Sequence, residues 1–388
     1  MNGDFKMANN SQKTVYYGSS KLWSSNSPVG SHGYTKEFSK NDWQVAFLSP
    51  NITPYHRFLT KNKVLFQERN QIHKCGGKWY EDHRIWTYVP WSLVSSKQFP
   101  KNWLSFSLND FEKALKRNNI SGSPDIIWID NPEFGQLFYK YPSAKHVIRI
   151  ADMNQYFKEF SSKLIAIQVQ LAKMADLVIV TSHALKNEME KFEIPNLVRV
   201  PNGVDLERFQ PNQIPDKPEE FLRMTGPIAL FVGMIEDWFD AELLSEVALK
   251  LPEVNFVLIG ECKINTISLE KLSNVYMLGS KSPAKVPSYM YHSNIGIIPF
   301  KQNDFCNAIN PVKYYEYIAC GLPVVATTSL EFQMLGEPVY LASNAQEFSI
   351  GIKKALGERS SLREHLREIA KEMSWEKRWN TIMKNLGY

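Results

Sequence analysis

Asn310-Pro-Val-Lys-Tyr-Tyr-Glu-Tyr-Ile-Ala-Cys-Gly-Leu-Pro-Val-Val-Ala-Thr-Thr328 decides the fold. It reads as a short helix with its own start and stop signals. Asn310 is suited to cap the free N–H groups, and Pro311 suits the first helical position. Gly321 permits a left-handed turn, and Pro323 bars any continuation. The apolar runs 295–300 before it and 323–327 after it have the unbroken hydrophobicity of parallel strands buried on both faces. A helix between two such strands starts at the carboxyl edge of a sheet, where open α/β folds bind ligands.

Two charges in this helix stand out. Lys313 falls in the first turn, where the helix dipole is already positive and a cation is unfavourable. A phosphate bound there removes the conflict, because a helix N-terminus with a lysine is a natural anion site. Glu316 lies one turn on, on the same face, and is able to accept hydrogen bonds from sugar hydroxyls. The plain alternative is a solvated Lys–Glu pair at i, i+3.

With 388 residues, the chain exceeds one ordinary core and is expected to form two domains. Its composition is that of a globular protein, without a low-complexity tract or a membrane-spanning apolar run. The polar start lacks the apolar core of a signal peptide, so the expected location is cytoplasmic. Cys75, Cys262, Cys306 and Cys320 are scattered without metal-ligand spacing and read as reduced thiols. Charge is uneven: residues 1–212 hold 27 Lys and Arg against 19 Asp and Glu, whereas 213–388 hold 18 against 21. The basic half is expected to face something anionic.

Along the chain, a strand at 15–18 leads into a Ser- and Gly-rich loop, 19–32, in which Gly30 and His32 are candidates for ligand approach. A helix at 34–39 and a strand at 44–49 follow. The stretch 54–103 holds nine Lys and Arg, three Asp and Glu, and many aromatics. Cations interleaved with Trp and Tyr suit a membrane interface with anionic headgroups, or nucleic acid; the plain reading is an irregular solvated insertion. Within it, 85–89 reads as a strand. Helices at 108–118, 161–175 and 184–192 then alternate with strands at 125–129, 146–150, 177–181 and 197–200, the rhythm of a parallel, doubly wound sheet. A Pro- and charge-rich linker, 211–227, precedes a second round. Its strands are 228–232, 255–259, 275–278, 295–300, 323–327 and 339–341, and its helices include 240–249, 286–292, 345–356, 361–373 and 375–386.

No G-x-G-x-x-G follows a strand, and no P-loop, Asp-x-Asp, clustered metal set or G-x-S-x-G occurs. A two-sheet chain with a phosphate-binding helix remains. Asn202-Gly-Val-Asp205 ahead of the linker, Gly233 after the first strand of the second sheet, and the Pro311, Lys313, Glu316, Gly321-Leu-Pro-Val-Val325 series resemble GT-B glycosyltransferases. Arg149-Ile-Ala-Asp152 adds a closer resemblance to the glucuronosyltransferase of xanthan assembly and to teichuronic-acid-type polysaccharide glycosyltransferases of family 4 type.

That resemblance implies two Rossmann-like domains, 14–210 and 211–373, with parallel sheets facing a cleft, and a terminal helix, 374–388, crossing back to the first. A UDP-sugar donor is then held by the second domain: Lys313 on the diphosphate, Glu316 on the ribose, Lys281 near the base, with Gly233, Asn310 and Tyr314 beside them. The acceptor side falls to Gly30, His32 and Arg149, with Asp152 as general base. The family's usual Arg/Lys pair after the first strand of the second sheet is missing, since 234–240 holds only acids. The expected activity is metal-independent transfer of a hexose, glucose first, to a saccharide or polyprenyl-linked acceptor of a cell-surface polysaccharide. UDP-sugar is a co-substrate, no cofactor or nucleic acid is called for, and the enzyme is expected at the inner face of the plasma membrane. Two rivals are a sugar-nucleotide epimerase of the same fold and a nucleic-acid-binding module using 54–103.

Overall fold

A computed structural model describes residues 12–25, 30–56, 62–81, 84–96, 108–152, 162–210, 212–336 and 339–388. The polar start, Lys61 and the end of the basic stretch lie outside the described residues. The chain forms two compact units. One comprises Met1–Val180, Leu185–Val200 and Trp379–Tyr388; the other comprises Thr181–Ala184 and Pro201–Arg378.

The first unit is built on an eight-stranded sheet. Its strands are β1 (Thr14–Gly18), β2 (Gln44–Leu48), β3 (Lys78–Tyr80), β4 (Ile85–Tyr88), β5 (Ile126–Ile129), β6 (Lys145–Ile150), β7 (Leu177–Val180) and β8 (Leu197–Arg199). They lie in the order β3-β4-β2-β1-β5-β6-β7-β8, parallel except for the antiparallel pair β3/β4. β1, β4, β5 and β7 are buried at every residue, as their unbroken apolar sequences require of strands covered on both faces.

The second unit repeats the plan with β9 (Ile228–Val232), β10 (Asn255–Ile259), β11 (Val275–Gly279), β12 (Ile295–Ile298), β13 (Val324–Thr327) and β14 (Val339–Ala342). The order is β11-β10-β9-β12-β13-β14, all parallel. The helix Val312–Ala319 indeed joins the parallel neighbours β12 and β13.

Four readings of the sequence need correction. The described part of the basic stretch is not irregular throughout: it contains the helix Lys63–Lys74, whose Asn62 side chain caps the Leu65 amide at 3.0 Å, and strand β3. The linker contains a helical turn, Glu219–Leu222, that buries Phe221 completely. Helices 345–356 and 361–373 are one helix, Ala345–Lys371. Gly357 there meets nothing within 4 Å, so its cost is only the ordinary helix penalty, offset by burial of Phe348, Ile352, Ala355, Leu366 and Ala370. Finally, Pro311 rather than Asn310 is the N-cap residue of Val312–Ala319.

The other end of that helix is as expected. Gly321 has φ +73°; its amide donates to Ile318 and the Leu322 amide to Tyr317, both at 2.9 Å, which closes a Schellman turn. A Cβ on Gly321 would also meet Arg363 Cγ at 2.7 Å and its carbonyl oxygen at 2.9 Å. Gly321→Ala is therefore expected to cost at least about 1–2 kcal/mol, read as a lower urea midpoint with an unchanged slope.

Candidate functional site

In the second sheet the strand order reverses at β9, which lies between β10 and β12. The carboxyl ends of these strands outline a crevice of the kind that binds ligands in open α/β sheets. Gly233 follows β9, and its loop is fused to the one after β10: a Cβ on Gly260 (φ +151°) would sit 1.7 Å from the Gly233 carbonyl oxygen. Ile235 and Cys262 pair as a bridge beyond this contact. Lys263 is thereby brought to the acidic segment after β9, its Nζ 2.6 Å from Glu236. Lys301, after β12, donates its amide to Trp238 at 2.8 Å. One cation, Lys263, thus comes to the 234–240 segment from the loop after a neighbouring strand, which sequence proximity did not reveal.

Lys313 stands in the first turn of Val312–Ala319 and pairs directly with Glu316, the i, i+3 alternative read from the sequence. Lys313 is one-third exposed, whereas Glu316 is largely buried. Tyr314 is core: its ring is fully buried, edge-on to Tyr315 and Phe332, and its hydroxyl has no hydrogen-bond partner among the described residues. Lys281 is held by Glu220 at 2.7 Å, with the Tyr289 hydroxyl donating to the same carboxylate at 3.0 Å. The hydrogen bond to Glu220 pushes the Lys281 pKa up.

Asn310 is a junction instead of a cap. Its Nδ2 donates to the Tyr315 hydroxyl and to Glu331 Oε1, each at 2.8 Å. Its Oδ1 accepts the Asn202 amide at 2.9 Å, and its carbonyl accepts Asn202 Nδ2 at 2.8 Å. Glu331 is wholly buried, and its Oε2 accepts the His183 amide at 2.9 Å. Sequence reasoning missed Glu331; Ser329, which caps its helix by accepting from the Phe332 amide, is the local signal that a helix starts there.

In the first sheet the order reverses at β1, between β2 and β5. The helix Gly30–Lys40 follows β1. Arg149, on β6, is only 4% exposed, and its Nη1 lies 3.2 Å from Asp130 Oδ2. Asp130 also accepts the Trp128 indole N–H at 2.9 Å and the Tyr17 hydroxyl at 3.0 Å. A Cβ on Gly30 would meet Arg149 Nη2 at 2.4 Å, so glycine is there to admit the guanidinium. Gly30 and Arg149 are therefore parts of one buried contact. Asp152, two strand-end residues further on, is exposed. Desolvation pushes its pKa up and Arg149 and Lys21 pull it down, but water reaching an exposed side chain weakens that upward push.

His32 lies inside the helix and is buried. Its Nε2 is 3.0 Å from the Leu22 carbonyl and 3.2 Å from that of Trp23, and its ring stacks on Trp23 at 5.1 Å. Carbonyls only accept, so Nε2 carries the proton. The imidazole positions the loop after β1. Among the described residues, no group of three or more His, Cys, Asp or Glu could hold a metal ion.

Residues 226–358 match the family model described as glycosyl transferases group 1, and residues 35–208 match glycosyltransferase family 4. The teichuronic acid biosynthesis glycosyltransferase TuaH of Bacillus subtilis is 30% identical over 293 residues, covering 69% of this chain and 73% of that one. Among solved structures, sucrose-phosphate synthase of Thermosynechococcus elongatus aligns with TM-score 0.68 at 14% identity, over 96% of this chain and 98% of that one. HepE of Anabaena, in complex with UDP and glucose, aligns with TM-score 0.66 at 15% identity, over 97% and 99%. These structures share the two-sheet GT-B fold.

Burial pushes the His32 pKa below its ordinary 6.5. The unfolded chain then binds the proton more readily than the native one, so stability falls as pH drops below about 6.5. His32→Gln retains an N–H donor and should flatten that part of a thermal-midpoint profile; an unchanged slope would assign it to another group.

Proposed function

The chain belongs to the glycosyltransferases of group 1 and family 4, and we propose that it moves a hexose, glucose first, from a UDP-sugar to a saccharide or polyprenyl-linked acceptor of a cell-surface polysaccharide. The observation that carries this is Lys313 and Glu316 paired at the start of the helix that follows β12, beside the reversal point of the second sheet. The teichuronic acid relative and the UDP-bound neighbour favour it.

In this reading the diphosphate displaces Glu316 from Lys313. The ammonium and the first amides of the helix hold the phosphates, and the freed carboxylate accepts ribose hydroxyls. Asp152 takes the proton of the acceptor hydroxyl as its oxygen attacks C1. The bond from C1 to the diphosphate oxygen breaks, its electron pair leaves with UDP, and the anomeric centre inverts. Lys313 stabilises the departing charge without a metal ion.

A membrane surface is the second partner. Tyr55, Val64, Leu65 and Leu93 are exposed in the basic stretch, Val64 to 75%, as are Lys63, Lys74 and Lys78. Apolar side chains among lysines suit an anionic interface.

Lys313→Ala should weaken UDP binding and also slow turnover, by about 2–4 kcal/mol in kcat/KM. Asp152→Asn should leave UDP affinity within about twofold while cutting kcat by roughly 10²–10⁴. UDP titration calorimetry beside initial rates in excess chelator separates the two; near-normal turnover in Asp152→Asn would move the base elsewhere.

Anionic vesicles should retain the protein at low salt and release it as salt rises. Replacing Lys63, Lys74 and Lys78 by Ser should weaken retention without unfolding. Equal binding to neutral vesicles would remove the electrostatic account.

A further inference from the structure

The long helix Ala345–Lys371 carries Arg359, Arg363 and Arg367 four residues apart, so the three cations share one face. Like charges at this spacing repel. Of the glutamates next to them in sequence, Glu358 is engaged by the Tyr340 hydroxyl and Glu368 by Lys371. Arg367 meets Glu364 at 3.5 Å, a carboxylate that is 79% exposed. Among the described residues, no carboxylate lies within ion-pair distance of Arg359 or Arg363. The helix Leu206–Phe209, which carries Arg208, lies against the same long helix: Gln210 Nε2, just past its end, donates to the Arg367 carbonyl at 2.8 Å, and the Cys320 thiol donates to the Phe209 carbonyl at 3.3 Å.

Part of this arrangement is structural. Arg359 Nη2 donates at 3.1 Å to the carbonyl of Ser293, which ends the helix Val286–His292. Arg363 packs on Gly321, just past the end of Val312–Ala319, and its guanidinium lies 4.6 Å from the centre of the Tyr291 ring. Cations at two helix C-termini are favourable. Yet a guanidinium has five N–H donors, and Arg359 Nε and Arg363 Nη2 are buried without a hydrogen-bond partner among the described residues. Desolvation, and then the neighbouring Arg363, push the Arg359 pKa down. Helix ends alone leave this cationic cluster undercompensated, although both side chains are only half-buried and reach the surface.

We infer that Arg359 and Arg363, with Arg208 and Arg367 beside them, form a binding site for a phosphate-bearing group, separate from Lys313. A phosphate supplies what the cluster lacks: two negative charges and oxygen acceptors that match the planar forks of adjacent guanidiniums. The group is either a soluble phosphate compound or a phospholipid headgroup.

Inorganic phosphate is the first probe, titrated against the thermal midpoint of the full chain at constant ionic strength. Wild type and Lys313→Ala should both be stabilised, because a ligand that binds the native state raises the midpoint. Arg359→Gln and Arg363→Gln should each weaken phosphate roughly tenfold or more. Stabilisation that vanishes in Lys313→Ala, or survives in both glutamine variants, overturns the site. Should the glutamine variants fail to fold, Arg363→Lys keeps the charge and loses the fork. Wild-type phosphate affinity in that variant overturns the site equally. Flotation with vesicles of phosphatidylcholine, with and without phosphatidic acid, identifies the source. Retention by phosphatidic acid that Arg363→Gln removes assigns a lipid headgroup; phosphate binding without such retention assigns a soluble compound.

Discussion

A carboxylate withdrawn completely from water is the constraint on which the second unit depends. Burying Glu331 would cost several kcal/mol if its oxygens were unsatisfied, and the surrounding chain is arranged to satisfy them. One oxygen takes the His183 amide and the other takes Asn310. Asn310 in turn grips Asn202 through both its side chain and its carbonyl. The neighbouring Gly203 lets Trp375 approach within 2.9 Å of where a Cβ would stand, and Val204 bridges to Ser374. Residues far apart in sequence are thus held by a few directed hydrogen bonds, and the helix bearing Lys313 begins two residues after Asn310.

Much of the fold was legible because the strands are buried on both faces and advertise this as unbroken apolar runs. β9, β10 and the helix Val286–His292 fall where the sequence placed them. What was hidden depended on tertiary contacts. Gly357-Glu-Arg-Ser-Ser361 looks like a break, but packing of Phe348 and Ile352 on one side and Leu366 on the other carries the helix through it. Asn310 has the chemistry of a cap, and local sequence does not show that Asn202 and Glu331 compete for the same side chain.

The candidate site was legible in kind more than in detail. Lys313 and Glu316 could be singled out because a cation in a first helical turn is anomalous. Whether Glu316 served Lys313 or a sugar was open, and in the structure it pairs with Lys313. Lys263 escaped notice because it lies on a different strand end from the acids it approaches, and only the contact of Gly233 with Gly260 brings them together. Gly30 and Arg149 were seen as separate candidates, although the absent Cβ of one is the space filled by the other. The GT-B architecture predicted from motif order holds for both sheets, with β3 as an antiparallel addition at one edge.

The first unit also includes Trp379–Tyr388, which follow the whole second unit in sequence. Trp379 meets Phe38 edge-on at 5.9 Å, and Tyr388 meets Trp43 at 5.2 Å while Lys13 lies over its ring. Phe38, in the helix Gly30–Lys40, and Trp43, just before β2, therefore wait for carboxyl-terminal partners while the chain is being made. On the ribosome all eight strands of the first sheet emerge before the second sheet is made, but Phe38 and Trp43 stay without Trp379 and Tyr388 until the second unit has been synthesised. This protein is thus one for which the order of synthesis and the order of folding diverge, and for which protection of a nascent aromatic surface becomes part of its biogenesis.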